Sequence, residues 1–373
     1  MKPFLAKPIA LLGVCFLVAA CSGPSRPKPA DIPAVQVLQD MRLKWSTDVG
    51  PINFPLLLSP AGQRVAVANA KGQVSLLDAS SGKDLWRTSL NTPIAAGVGT
   101  DGQQVALVTR DNQLLALKDG QIMWRQNLPA QSFTAPLVAG ARVFVLTADR
   151  VVMAFDGNTG KPLWTQQRTS EPLVLKQAGV LLAFKNTLLV GLSGRLVALN
   201  PDTGAIRWES AVATPRGIND MERLVDMVAP ASRAADVVCV RAFQSQLGCV
   251  NAEQGQLMWT RAAVGERGLS GNDSMVVSAL SNGVVQAWNR ANGERLWESE
   301  RLKYRVLSAP LVTPRGIVLA DSGGFVYLLS LADGALLNRI KLPGDELAAP
   351  PVLVGSQVLM VNKEGRISAY ELP

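Results

Sequence analysis

Short apolar runs of four to six residues follow one another along most of this 373-residue chain, separated by Gly, Pro, Asn and Asp. The stretch from Pro136 to Trp164 is typical. Pro136 to Ala139 reads as a short strand that ends at Gly140-Ala141. Val143 to Thr147 is a second strand, rich in β-branched and aromatic residues. Asp149-Arg150 makes a tight turn into a third strand, Val151 to Phe155, and Asn158-Thr159-Gly160 turns again into a fourth, Lys161 to Gln166. Strands this short and closely spaced leave no room for helices between them.

The pattern is an internal repeat. Leu77-Asp78-Ala79-Ser80-Ser81-Gly82 leads to Trp86, and Phe155-Asp156-Gly157-Asn158-Thr159-Gly160 leads to Trp164. Asn200 to Gly204 leads to Trp208, Asn251 to Gly255 to Trp259, and Asn289 to Gly293 to Trp297. A shortened copy, Lys118-Asp119-Gly120, precedes Trp124, and a degenerate one, Ser330 to Gly334, reaches Asn338 where tryptophan is expected. With Trp45 as the first, this position recurs every 38 to 51 residues. Four strands in about 40 residues is the signature of a β-propeller blade. The third strand occurs eight times, the last at Ile367 to Tyr370, with no fourth strand after it. The missing strand stands at the other end, where Arg42 to Thr47 matches the tryptophan strand. The expectation is an all-β, eight-bladed propeller of four-stranded antiparallel blades over residues 41–373, closed by the N-terminal strand pairing in the last blade. Closure removes the exposed edge of an open sheet. The copy around Leu269 to Met275 is ambiguous and leaves seven blades as the alternative count.

Blades pack on both faces, which accounts for an apolar fraction of 48%. The periodic indoles, Trp45, Trp86, Trp124, Trp164, Trp208, Trp259 and Trp297, are expected to pack blade against blade, where truncating one costs about 3–5 kcal/mol.

Residues 1–20 read as an export signal. Lys2 and Lys7 precede an apolar run from Ile9 to Ala20, which is too short to span a bilayer as a helix. Leu17-Val18-Ala19-Ala20-Cys21 resembles the bacterial lipobox, which implies acylation of Cys21. Ser22, rather than Asp, follows it, so the implied destination is the periplasmic face of the outer membrane. Residues 21–40, with Pro24, Pro27, Pro29 and Pro33, read as an extended tether.

The formal charge of +8 is spread along the chain, two units of it on the signal lysines, and gives no case for nucleic-acid binding. There is no histidine, so the usual general base and the commonest metal ligand are missing. Cys239 and Cys249 flank a turn near Gln244, and a disulfide there depends on strand register.

The Asp-x-x-Thr-Gly-x-x-x-Trp motif resembles the pyrroloquinoline-quinone-type propeller repeat over residues 42–373. That repeat is shared by dehydrogenases and by non-enzymatic proteins. With the lipobox, the tether and the blade count, the chain resembles the BamB family of the outer-membrane β-barrel assembly machinery. The resemblance implies a scaffold without cofactor or catalytic activity. The implied partners are the periplasmic domains of BamA, the rest of the Bam complex and nascent outer-membrane proteins. A quinoprotein or small-ligand-binding propeller in the periplasm is the alternative, although Cys239 and Cys249 are not the vicinal pair of the quinone enzymes. Two of the segments crossing between blades are long, Trp164 to about Val180 and Trp208 to Pro230. They belong to the same face, where binding tends to reside. Family correspondence places Leu173, Leu175 and Lys176 in the first and Asp226 in the second, which also carries Arg223. Lys176 stands for the usual arginine, and Val228 stands where a second acid is usual.

Overall fold

The computed structural model describes residues 27–32, 40–167, 173–216, 218–220, 223–344 and 346–372. Cys21 lies outside these residues.

The described chain forms 32 strands in eight four-stranded antiparallel sheets. Blades 1 to 7 are simple meanders spanning 59–89, 94–127, 137–166, 181–211, 227–262, 270–299 and 311–341. The ambiguous segment near Leu269 is the short first strand of blade 6, Ser270–Gly271, so the count is eight. Blade 8 joins the two ends of the chain, with Arg42–Asp48 pairing antiparallel to Arg366–Glu371 as its outer strand. One apolar core runs through this closure. Leu359, Val361, Ile367 and Ala369 of blade 8 pack with Val65, Val67, Leu76 and Val105 of blades 1 and 2.

Burial follows position within the blade. Gln104–Thr109, a second strand, is buried at every residue because neighbouring blades cover both its faces. Asp84–Ser89, an outer strand, alternates exposed and half-buried side chains. The sequence obeys this order, with continuous Val, Leu and Ala inside and Arg, Thr and Ser interleaved outside.

The repeat motif acts at the blade junctions. The Asp78 carboxylate accepts the Ser80 and Ser81 N–H groups at 3.1 and 2.9 Å, and Asp156 does the same for Asn158 and Thr159. Hydroxyls of Ser80 and Ser81, and of Thr159, also donate to these carboxylates and hold both below the usual Asp range. Each turn ends on a glycine at φ of 68–72°: Gly82, Gly160, Gly204, Gly255, Gly293 and Gly334. The indole of the preceding blade lies on that glycine so closely that a Cβ there would collide with the ring. The indole N–H then donates to the carbonyl that follows the first turn residue, which is Asp78, Asp156, Asn200, Asn289 or Ser330. Trp45 reaches Ala79 at 3.1 Å, Trp124 reaches Gly157 at 2.7 Å, and Trp164 reaches Pro201 at 2.9 Å. Trp259 reaches Arg290 at 2.8 Å and Trp297 reaches Leu331 at 2.9 Å.

Three of the eight junctions lack this bond among the described residues: Trp208 lies on Gly255 without it, and the other two depart for a visible reason. Blade 2 carries the shortened turn, and Trp86 Nε1 finds no acceptor among the described residues. A Cβ on Gly120 would sit 3.6 Å from that indole, at ordinary contact. Asn338 of blade 7 faces blade 8, whose third and fourth strands come from opposite ends of the chain. No covalent turn joins Glu371 to Arg42, so there is no glycine to receive an indole.

Candidate protein-docking surface

In a meander, the turns between strands 1 and 2 and between strands 3 and 4 share one end of the blade. Turns between strands 2 and 3 share the other end with the crossings to the next blade. Both long crossings therefore emerge on this crossing face, from 167 to 180 between blades 3 and 4 and from 212 to 226 between blades 4 and 5.

Asp226 organises them. Its Oδ1 accepts Arg150 Nε at 3.2 Å and Nη2 at 2.9 Å, and its Oδ2 accepts the Leu175 N–H at 3.2 Å. Arg150 Nη2 also donates to the Leu173 carbonyl at 2.8 Å. The Asp226 carbonyl accepts the Phe243 N–H at 2.9 Å, tying the group to blade 5. Side-chain exposure is 7% for Arg150 and 17% for Asp226, so the ion pair is largely withdrawn from solvent. A largely buried pair whose Asp226 Oδ2 and Arg150 Nη2 also bond to backbone groups resists opening better than a surface pair. One carboxylate and one guanidinium thus join the turn of blade 3, both long crossings and blade 5.

This clamp separates the residues expected to bind a partner. Asp226 faces inward to Arg150. Leu173 and Leu175 point their backbone polar groups into the clamp and are half-buried, while Lys176 and Arg223 are exposed. Leu224 and Val225 tuck beneath the second crossing, with Val225 against Ala213 and Ala242. Val228 is buried and bridges to Gly179, which leaves no room for a second acid. Arg150 was not singled out in the sequence. Its one local signal is the Asp149-Arg150 turn, where it takes φ of 61°.

The surface beside the clamp has two shallow depressions. One is lined by Phe133, Leu146, Leu175 and Met227, the other by Leu173, Pro215, Asp220 and Arg223. Their volumes, about 50 and 10 Å³, are far below the several hundred Å³ of a small-molecule site. A larger cavity of about 500 Å³ opens at the central mouth of the same face, between Ile52, Phe54, Lys176, Arg267, Leu307 and Leu347. Lys176 lies on its rim, so the first crossing runs from the clamp to the mouth. Among the described residues no group of three or more Cys, Asp or Glu could hold a metal ion.

Cys239 and Cys249 form a disulfide away from this surface, directly opposite each other on the second and third strands of blade 5 and fully buried. The Arg290 guanidinium reaches across from blade 6 to within 3.5 Å of Cys239 Sγ, with Ser232 Oγ as a further acceptor.

Residues 70–299 and 269–373 match the family model described as outer membrane protein assembly factor BamB. The chain is 33% identical to the outer membrane protein assembly factor BamB of Burkholderia pseudomallei, over 98% of this chain and 97% of that one. It is 31% identical to that of Bordetella pertussis, over 93% and 91%. The crystal structure of BamB from Moraxella catarrhalis superposes with a TM-score of 0.81 at 24% identity, covering 89% of this chain and all of that one. A quinohemoprotein alcohol dehydrogenase from Comamonas testosteroni shares the fold with a TM-score of 0.69 at 13% identity, over 90% of this chain and 77% of that one. The matched repeat and the near full-length identity agree, and the chain belongs to the BamB family of outer membrane protein assembly factors.

Proposed function

We propose that this protein is a non-enzymatic scaffold of the outer-membrane β-barrel assembly machinery. It docks on the periplasmic domains of BamA through the crossing face at blades 3 to 5. It is held at the periplasmic face of the outer membrane by acylated Cys21. The observation that carries the docking site is the Arg150–Asp226 clamp. It fixes two long crossings and presents the flanks of Leu173 and Leu175 with the exposed Lys176 and Arg223 around them. Half-buried leucines beside the exposed Lys176 on a rigid, shallow surface suit a protein partner with apolar and acidic groups. The absence of histidine supports a role without acid–base chemistry. Replacing both Leu173 and Leu175 by Glu is expected to abolish co-purification with BamA from solubilised envelopes while the protein stays folded. Undiminished co-purification would remove the site.

The central cavity supports a second reading, a propeller that holds a small ligand, because about 500 Å³ lies in the range of ligand pockets. Stoichiometric quinone or another chromophore in protein purified from its native envelope would establish it. Colourless, ligand-free protein would exclude it.

A further inference from the structure

The Pro-rich segment before the first strand touches the propeller at a defined place. Pro27 and Pro29 lack an N–H, and Ala30 is the first residue after them that can offer one. It donates to the Lys303 carbonyl at 2.9 Å, and its own carbonyl accepts Arg305 Nη2 at 2.9 Å. Two residues on, the Ile32 carbonyl accepts Arg339 Nη1 at 3.4 Å, and the Ile32 side chain packs against the shared core of blades 6 and 7. Arg305 is itself fixed, its Nη1 donating to Asp321 Oδ2 at 2.9 Å, and that carboxylate also accepts the Tyr327 hydroxyl at 2.6 Å. Lys303 and Arg305 belong to the crossing from blade 6 to blade 7 and therefore lie on the crossing face.

We infer that this docked segment makes the crossing-face rim at blades 6 and 7 the part of the propeller that faces the lipid surface. The inference rests on acylation of Cys21, and chain length decides it. Were Arg42 the first fixed residue after the lipid, the leash would reach about 70 Å when fully extended, and the propeller would turn freely beneath the membrane. With the chain held at Ala30, nine links remain and the reach falls to about 30 Å. The rim also suits that neighbour. Tyr304 is exposed beside the docked segment, and Lys28 and Arg301 are exposed with it. An aromatic ring with flanking cations favours the headgroup region of an anionic bilayer. The clamp lies on the same face, across the channel mouth at blades 3 to 5, so a partner bound there meets the propeller from the side away from the anchor.

The test uses the full-length acylated protein in vesicles of phosphatidylethanolamine and phosphatidylglycerol containing brominated lipid. A fluorescent thiol label is placed at Tyr304→Cys or, on the opposite face at blade 4, at Asn186→Cys. Vesicle flotation with quenching at position 304 and none at position 186 is expected. Ala30→Pro, which removes the donor to Lys303 and leaves the propeller intact, should abolish that difference. A second variant, Ala30→Cys with Lys303→Cys, should cross-link under mild oxidation. Flotation with equal quenching at both positions, or failure of the cysteines to cross-link, overturns the docked rim. Protein that does not float overturns the anchor reading itself.

Discussion

The blade junctions and the clamp solve the same problem, holding neighbouring blades in register, by opposite means. At five junctions an indole donates to a turn carbonyl in the next blade, and the residues involved recur at fixed spacing. At the crossing face between blades 3 and 5 a single ion pair, 76 residues apart in the chain, gathers two irregular crossings. Repetition serves stability, because every junction must be held and none needs to differ. The clamp occurs where the repeat is interrupted by extra chain and gathers two crossings, whereas the other withdrawn Arg–Asp pair of this face, Arg305–Asp321, joins a single crossing to blade 7. A surface that binds one partner has to be unlike the rest of the ring, and here the asymmetry resides in loop length and in the one pair that gathers two crossings.

The contrast can be attacked from its strongest side first. Trp124→Ala, which removes a buried indole and its bond to Gly157, should lower unfolding free energy by about 3–5 kcal/mol in a denaturant titration. Trp86→Ala should cost about 1 kcal/mol less than Trp124→Ala, since its N–H makes no bond. Equal losses would mean that the indole–carbonyl bond adds nothing to the junction.

Loss of the disulfide should come next. Cys239→Ala with Cys249→Ala is expected to cost about 2–4 kcal/mol, the range for a short closed loop. Because the pair is buried in blade 5 away from the crossing face, affinity for BamA should be unchanged in the same variant.

Arg150→Met should be milder for stability and severe for binding. It leaves Asp226 without its cation, but the crossings are at the surface and can open to hydrate the carboxylate. The expected loss is therefore about 1–2 kcal/mol rather than the larger cost of a fully enclosed charge. Amide exchange should quicken at Leu175 and Phe243, whose N–H groups bond to Asp226.

The smallest effect is electrostatic. Asp78 and Asp156 titrate below 3.8 in the folded protein, so the stability they lend is complete above about pH 3.8 and lost as pH falls through their folded values. Asn fills the same turn position at 200, 251 and 289 without titrating. Asp78→Asn with Asp156→Asn should keep Tm at neutral pH and flatten its decline in acid. An unchanged acid limb would show that these turns contribute no pH dependence.

What the sequence disclosed follows the same division. The blade count, the strand order and the closing strand at Arg42–Asp48 were legible because a period repeated eight times overrides any single ambiguous copy. Asn338 stood out as a break in that period, and the covalent gap in blade 8 gives its reason. The pairing of Cys239 with Cys249 stayed open because a one-residue slip would reverse their faces. The tight turn around Gln244 sets the register that places them opposite each other. Arg150 could not be found, since an arginine in a surface turn carries no local sign of a carboxylate 76 residues away. Asp226 was legible as a site residue by family correspondence, but its inward role was not. The contacts of Ala30 were equally hidden, because composition marks a Pro-rich tether and says nothing of where it rests.

The most direct test is the dissociation constant of the propeller for the BamA periplasmic domains, measured by calorimetry for the natural protein and for Arg150→Met. If the clamp builds the docking surface, the variant binds at least about tenfold more weakly, a loss of about 1.4 kcal/mol, while remaining folded at the temperature of measurement. Equal affinity in the folded variant would contradict a docking surface organised by Arg150 and Asp226.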